Sequence, residues 1–250
     1  MAVRQIRLLF GHTKEIVVLM YHSIDNINWE FAISPSTLEK QIKYLFDNKY
    51  KFLSSSDIYE IISGVTEAPR KGVLITFDDG YEDFIINAVP ILNKYGARAI
   101  IFPHTDRLSN NLGNNIRLLS TVQISQLSKA GIEIGNHSHS HFDSKSLSNE
   151  EIEKELQKSE DIIEDIAGNR PLIFAYPGGK FDQRIINILK DRGYKIAFTI
   201  DRGLISKGDD SMRVKRFGIS KKTSFLEFKA RITIVSEWYE KIIRAFKHNK

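Results

Sequence analysis

The chain has no cysteine among its 250 residues. No disulfide framework exists, and any metal site must be built from histidine, aspartate or glutamate. A cysteine-free chain also fits a reducing compartment. No stretch approaches the roughly 18 consecutive apolar residues that a membrane span needs. The basic N-terminus is a poor secretion signal, because its apolar runs, 8–10 and 16–20, are split by Gly11-His12-Thr13-Lys14-Glu15. Zinc fingers, RNP-type motifs and long basic runs are also absent, which argues against nucleic-acid binding. There is no internal repeat and no linker long enough to divide domains. The expectation is therefore one domain over 1–250, cytoplasmic, with a basic helical extension from about 223.

Hydrophobic residues make up 42% of the chain, an ordinary globular fraction, and the net charge is +5. Part of the positive excess lies at the ends, in Arg4, Arg7 and Lys14 and in Lys241, Arg244, Lys247 and Lys250. Solvated termini account for it, and peripheral contact with an anionic membrane face is the alternative. A helical apolar stripe, Phe225, Phe228, Ile232, Val235, Tyr239, Ile242, Ile243 and Phe246, either packs on the body of the protein or lies on a membrane surface.

Apolar runs alternate with amphipathic stretches along the chain. Strands are expected over 16–21, 51–53, 72–77, 97–102, 132–136, 171–176, 194–200 and 213–219. Helices are expected over 34–48, 56–63, 81–95, 121–130, 148–167, 182–192 and 223–246. Ser148 with Glu151 three residues on forms a capping box. This strand-then-helix rhythm predicts a parallel sheet, closed or nearly closed into a barrel of about seven or eight strands.

The chemistry-bearing residues gather at strand ends. Tyr21-His22 ends the first strand and Asp78-Asp79 the third, His137 and His141 follow another, and Tyr176-Pro177-Gly178-Gly179 ends a fourth. In parallel α/β folds the C-terminal strand ends converge on one face, which carries the site. Asp-Asp-Gly is also ordinary turn chemistry, but two adjacent acids after a strand point in different directions. One can bind a metal while the other stays available as a base. In His137-Ser138-His139-Ser140-His141, an extended chain puts all three rings on one face, whereas a helical turn or tight loop brings His137 and His141 together. Asn136 and the serines are candidates to orient those rings. His22 is either a structural histidine or a general acid for a leaving amine. His104 is a candidate to line the cleft.

Thr76-Phe77-Asp78-Asp79-Gly80, His137-Ser138-x-x-His141 and Phe174-Ala175-Tyr176-Pro177-Gly178-Gly179 closely resemble the three leading motifs of the polysaccharide deacetylase family, the NodB-homology or carbohydrate esterase family 4 domain. The resemblance covers about 15–220 and implies a distorted (β/α)7 barrel, an α/β fold. It implies Asp78 as base, and Asp79, His137 and His141 as ligands of a divalent metal, zinc foremost, with cobalt, nickel or manganese as alternatives. It implies Tyr176, Pro177 and Gly178 as one wall of the substrate groove. Two departures stand out. The third-motif arginine that tethers the base is replaced by Ala175, with Arg216 the favoured substitute and Arg170 the other. The late Leu-x-His motif is absent, and the leading Val18-Leu19-Met20-Tyr21-His22-Ser23 resembles the branch in which an early histidine takes the acid role. The expected reaction is removal of N-acetyl groups from a sugar or polysaccharide. Hydrolysis of another amide or an O-acetyl ester is the second reading, and a non-catalytic carbohydrate-binding module the third.

Overall fold

The computed structural model describes residues 15–110 and 116–233. Its centre is a parallel sheet. Strand β1 (Glu15–Tyr21) lies between β5 (Lys71–Asp79) and the short β10 (Phe217–Gly218), and β6 (Ala99–Pro103) and β7 (Glu133–Ile134) extend the sheet beyond β5. β4 (Lys51–Phe52) pairs with the start of β5. β2 (Ser23–Ile24) and β3 (Ala32–Ile33) form one small parallel pair, and β8 (Ile173–Ala175) and β9 (Ile196–Phe198) another. A parallel bridge between Asn136 and Phe174 joins the end of the β7 segment to β8, and another between Phe198 and Val214 joins β9 to the chain that leads into β10. The segment 214–218 thus touches β9 at one end and β1 at the other.

Parallel neighbours need long crossovers, and helices supply them. They are α1 (Pro35–Asp47), α2 (Ser55–Ser63), α3 (Val89–Lys94), α4 (Thr121–Lys129), α5 (Asn149–Ala167) and α6 (Gln183–Asp191), followed by α7 (Phe225–Arg231). Strands covered on both faces read as continuous apolar runs. Ile16 to Tyr21, Val73 to Ile75 and Ala99 to Phe102 are accordingly all buried. The result is an α/β fold of alternating strands and helices whose strand ends converge.

Helix starts match their sequence signals. Ser34, Ser54, Ser120 and Ser148 each accept a backbone N–H as N-caps, and the last three complete capping boxes. Other expectations need correction. On α1 Phe46 is half-exposed, 5.7 Å from the Tyr95 ring, although its spacing from Leu38, Ile42 and Leu45 suits the apolar face. Gln41 is buried there instead, because its Oε1 accepts the Tyr21 hydroxyl at 2.9 Å. The helix expected from Tyr81 starts later, as a π-helical turn over Phe84–Ala88 that leads into α3. Tyr81 pairs with Leu118 instead, and Val89 N–H reaches back to Phe84 O just before Pro90, which has no N–H to return. The strand expected over 213–219 is broken, since Arg216 turns inward and its N–H bonds Asp201 O at 2.8 Å.

Phe228 and Ile232 are fully buried, so the start of the C-terminal stripe packs on the body. The rest of the stripe, from Val235, lies outside the described residues, as do the basic terminal residues. Among the described residues no helix is long and apolar enough to cross a membrane.

Candidate active site

β5 is buried from Gly72 to Asp78 and ends at the half-buried Asp79; the two acids sit opposite Phe102 and Pro103 of β6. Strand alternation sends the two carboxylates different ways. Asp78 meets Arg216, whose side chain is wholly buried. Nη1 donates to Oδ1 at 2.7 Å and Nη2 to Oδ2 at 2.8 Å, a bidentate pair. Nε donates to Thr199 O at 2.9 Å, and Nη1 also reaches Thr76 Oγ1 at 3.1 Å. The Phe102 and Phe198 rings flank the guanidinium at 5.9 and 5.7 Å. Burial alone would raise the Asp78 pKa, but the Arg216 charge and hydrogen bonds, with help from His137, hold its carboxyl below the usual range. Arg216 is therefore the cationic partner of this carboxylate. Arg170 pairs with Glu160 on α5 instead.

Asp79 has a positive φ of 71°, unusual for a residue with a side chain. Its Oδ1 lies 3.4 Å from His137 Nε2 and 3.6 Å from His141 Nε2. Its Oδ2 accepts the Tyr81 hydroxyl at 3.1 Å. Burial, then the Asp79 charge, holds the Tyr81 phenol above its ordinary range. His137 Nδ1 is 2.8 Å from Ala175 O, an acceptor only, so this nitrogen carries a proton and Nε2 is the ring atom that faces Asp79; burial opposes a charged ring, but the Asp79 hydrogen bond and the Asp78 and Asp79 charges raise its pKa. Burial, then the neighbouring His137 charge, lowers His141 to about 4, which keeps its ring neutral near pH 7. One donor atom each from Asp79, His137 and His141 falls within a 4.8 Å group. Two imidazoles and a carboxylate suit a first-row divalent ion.

The loop that carries the histidines is neither helix nor extended strand. Ser138 and His141 both have positive φ, 69° and 55°. Asn136 is fully buried; its Oδ1 accepts Ser138 N–H at 2.7 Å, and its Nδ2 donates to Ser159 Oγ and Tyr194 Oη. This tight turn brings His137 and His141 to 4.9 Å between rings and swings His139 away, onto Thr105 Oγ1.

His22 follows β1 directly. Asp83 fixes the chain there, accepting Ser23 Oγ at 2.5 Å and Ile24 N–H at 2.9 Å. The imidazole lies 5.0 Å from the Phe31 ring. Burial lowers its pKa, and the nearby Asp78 and Asp79 oppose that shift without cancelling it. A cleft of about 550 Å³ takes in His22, Asp78, Asp79, His137, His141, Tyr176 and Gly178, with Trp29 and Phe31 as an aromatic wall. Beside that wall, Lys221 Nζ donates to Asn28 Oδ1 and Lys222 Nζ to Glu30 Oε1, each at 2.7 Å.

The third-motif residues are placed unevenly. Gly178 lines the cleft with φ 57°, and no atom lies within 4 Å of where a Cβ would stand. Tyr176 reaches the cleft wall, but its ring is buried on Phe181 and its hydroxyl donates to Met212 O at 3.0 Å. Pro177 is buried and not among the cleft-lining residues. Nor is His104, a correction to its expected place. It stands behind His141, rings 5.8 Å apart, with Nδ1 on Asp106 Oδ1 at 3.0 Å. No sequence motif marks Tyr81, Trp29 or Phe31 as part of the site. The only hint for Tyr81 is its position two residues after Asp79, across Gly80.

A three-ligand group beside a clamped, buried carboxylate, at the C-terminal ends of parallel strands, defines a metal-dependent hydrolase of the deacetylase type. A family model described as Polysaccharide deacetylase matches residues 66–197, more than half of the chain, and the protein belongs to that family. YxkH of Bacillus subtilis is 28% identical over 218 residues, covering 87% of this chain and 76% of its own length. The poly-beta-1,6-N-acetyl-D-glucosamine N-deacetylase of Staphylococcus aureus is 28% identical over 200 residues, covering 76% of this chain and 68% of that protein. Among solved structures, the Streptococcus pyogenes deacetylase PplD in complex with acetate superposes with a TM-score of 0.79 at 25% identity, covering 88% of this chain and 98% of that one.

Proposed function

We propose that this chain is a zinc-dependent hydrolase that removes N-acetyl groups from an N-acetylated sugar or polysaccharide and releases acetate. The observation that carries the reading is the Arg216-clamped Asp78 standing next to the Asp79, His137 and His141 group. Donor atoms about 2.0–2.2 Å from a tetrahedrally held zinc ion stand roughly 3.3–3.6 Å from one another. The 3.4 and 3.6 Å separations from Asp79 Oδ1 support that fit. The bridges of 214–218 to both β9 and β1 support a distorted (β/α)7 barrel.

When bound, such an ion supplies Lewis acidity to the amide carbonyl and lowers the pKa of water to about 7. Asp78, outside the ligand group, accepts the proton of the attacking water. Arg216 keeps both carboxylate oxygens in place while it does so. The backbone N–H near Gly178 donates to the oxygen that gains charge, and the missing side chain lets substrate approach it closely. Trp29 and Phe31 offer aromatic faces to the sugar. His22 gives a proton to the amine nitrogen as the carbon–nitrogen bond breaks. Burial, which lowers its pKa, makes the protonated ring a stronger acid for this step. An early Tyr21-His22 in this role supports placement in the branch with an N-terminal acid.

Acetate release from an N-acetylglucosamine oligomer, measured beside an O-acetyl ester panel, tests the reading. Release from the oligomer should stop with a chelator and in Asp79→Ala, and return to the wild type with added zinc. Release from the esters alone would replace the amide assignment with the ester one. His22→Asn should lower kcat by about 10²–10⁴-fold at unchanged metal content. Wild-type turnover in that variant would remove His22 from the mechanism.

A further inference from the structure

The geometry points to Tyr81 as a positioning residue: its phenol O–H holds Asp79 Oδ2, so that Oδ1 alone is presented to the ion. The inference rests on the metal-site reading above and concerns a residue with no role in it. Oδ2 accepts from Tyr81 at 3.1 Å, while Oδ1 faces both His137 Nε2 and His141 Nε2. A carboxylate can bind one ion through one oxygen or through both. If both oxygens of Asp79 bound, the second would fill the position that a catalytic zinc site keeps open for water and substrate. An O–H donor fixed on Oδ2 disfavours that arrangement.

The phenol is itself held in place. Tyr81 is 8% exposed, its ring meets Trp29 edge-on at 5.4 Å, and its backbone pairs with Leu118. The turn that folds it back over Asp79 depends on Gly80. That residue has φ 76°, and a Cβ there would stand 2.9 Å from Pro103 Cβ and 3.0 Å from Pro103 Cα. Asp79 at φ 71° and Gly80 at φ 76° together reverse the chain within two residues, so the side chain two positions on reaches the carboxylate. Trp29 also lines the cleft, so one aromatic contact separates the substrate wall from the group that orients a metal ligand.

The test compares Tyr81→Phe and Tyr81→Leu with the wild type in metal-free protein titrated with Co²⁺. Tyr81→Phe keeps the ring and its packing and removes only the hydroxyl. Both variants should bind Co²⁺ about 10–100-fold more weakly. Their visible Co²⁺ absorption should weaken as the coordination number rises, with the thermal midpoint of metal-free Tyr81→Phe falling less than that of Tyr81→Leu. Wild-type affinity and spectrum in Tyr81→Phe, or an effect confined to Tyr81→Leu, would assign Tyr81 to packing alone and overturn the inference while leaving the metal site standing. A wild-type chain that takes up no Co²⁺ would overturn the metal site and this inference together.

Discussion

Asp78→Asn should retain one metal ion per chain and lose about 10²–10⁴-fold in kcat. The two halves of this expectation come from different contacts. Metal retention follows because Asp78 is not one of the three grouped donors; Asp79, His137 and His141 are. Loss of turnover follows because an amide accepts no proton near neutral pH. Both Asp78 oxygens are engaged by Arg216, yet each keeps a second lone pair, so the clamp orients the base without blocking it. Asp79→Ala and His137→Ala should lose the metal as well as turnover. Elemental analysis with acetate-release kinetics on the same preparations separates the cases. An Asp78→Asn enzyme that turns over at the wild-type rate would move the base to another residue.

The parts of the site that could be read from sequence are those in which residue type and strand end coincide. With no cysteine, the ligands could only be histidine or carboxylate, and Asp78-Asp79 and His137 to His141 follow two strands of a parallel sheet. Arg216 was one of two candidates, separable only by the argument that a strand-end side chain reaches the site. What stayed hidden depends on backbone turns that residue identity does not encode. A positive φ at Asp79, Ser138 or His141 is rare for residues with a Cβ and leaves no sequence signature. Those turns decide that Tyr81 folds back onto Asp79 instead of opening a helix, and that His139 leaves the cluster. His104 fails as a cleft residue for a similar reason. Pro103 takes the last pairing position opposite Asp79, and the chain then enters a 3₁₀ turn over Thr105–Arg107 that ties His104 to Asp106. Nor does local sequence show that Lys221 and Lys222, nearly two hundred residues away, reach Asn28 and Glu30 beside the aromatic wall.

Arg216→Met should destabilise the metal-free protein by about 3–5 kcal/mol, because it leaves a buried carboxylate without its partner. For a chain of this size that corresponds to a fall in Tm of roughly 6–20 °C. Neither Arg216 nor Asp78 is appreciably exposed, at 0% and 4%, so solvent screening does little to soften the loss. Methionine roughly preserves the packing between Phe102 and Phe198, which confines the change to charge and hydrogen bonding. Asp78→Asn/Arg216→Met should recover part of the loss, since both charges are then gone, and the shortfall from additivity measures their coupling. The pH dependence has a definite sign. The folded-state pKa of Asp78 lies below its unfolded value. Its pairing therefore stabilises the fold above the ordinary carboxylate range and is lost as pH falls through the lowered folded value. Wild type should lose this contribution on acidification, whereas the double variant has no such contribution to lose. Strictly additive Tm shifts in the two single variants and the double would mean that Arg216 and Asp78 are held by their surroundings independently, and the clamp would no longer explain how the base is positioned.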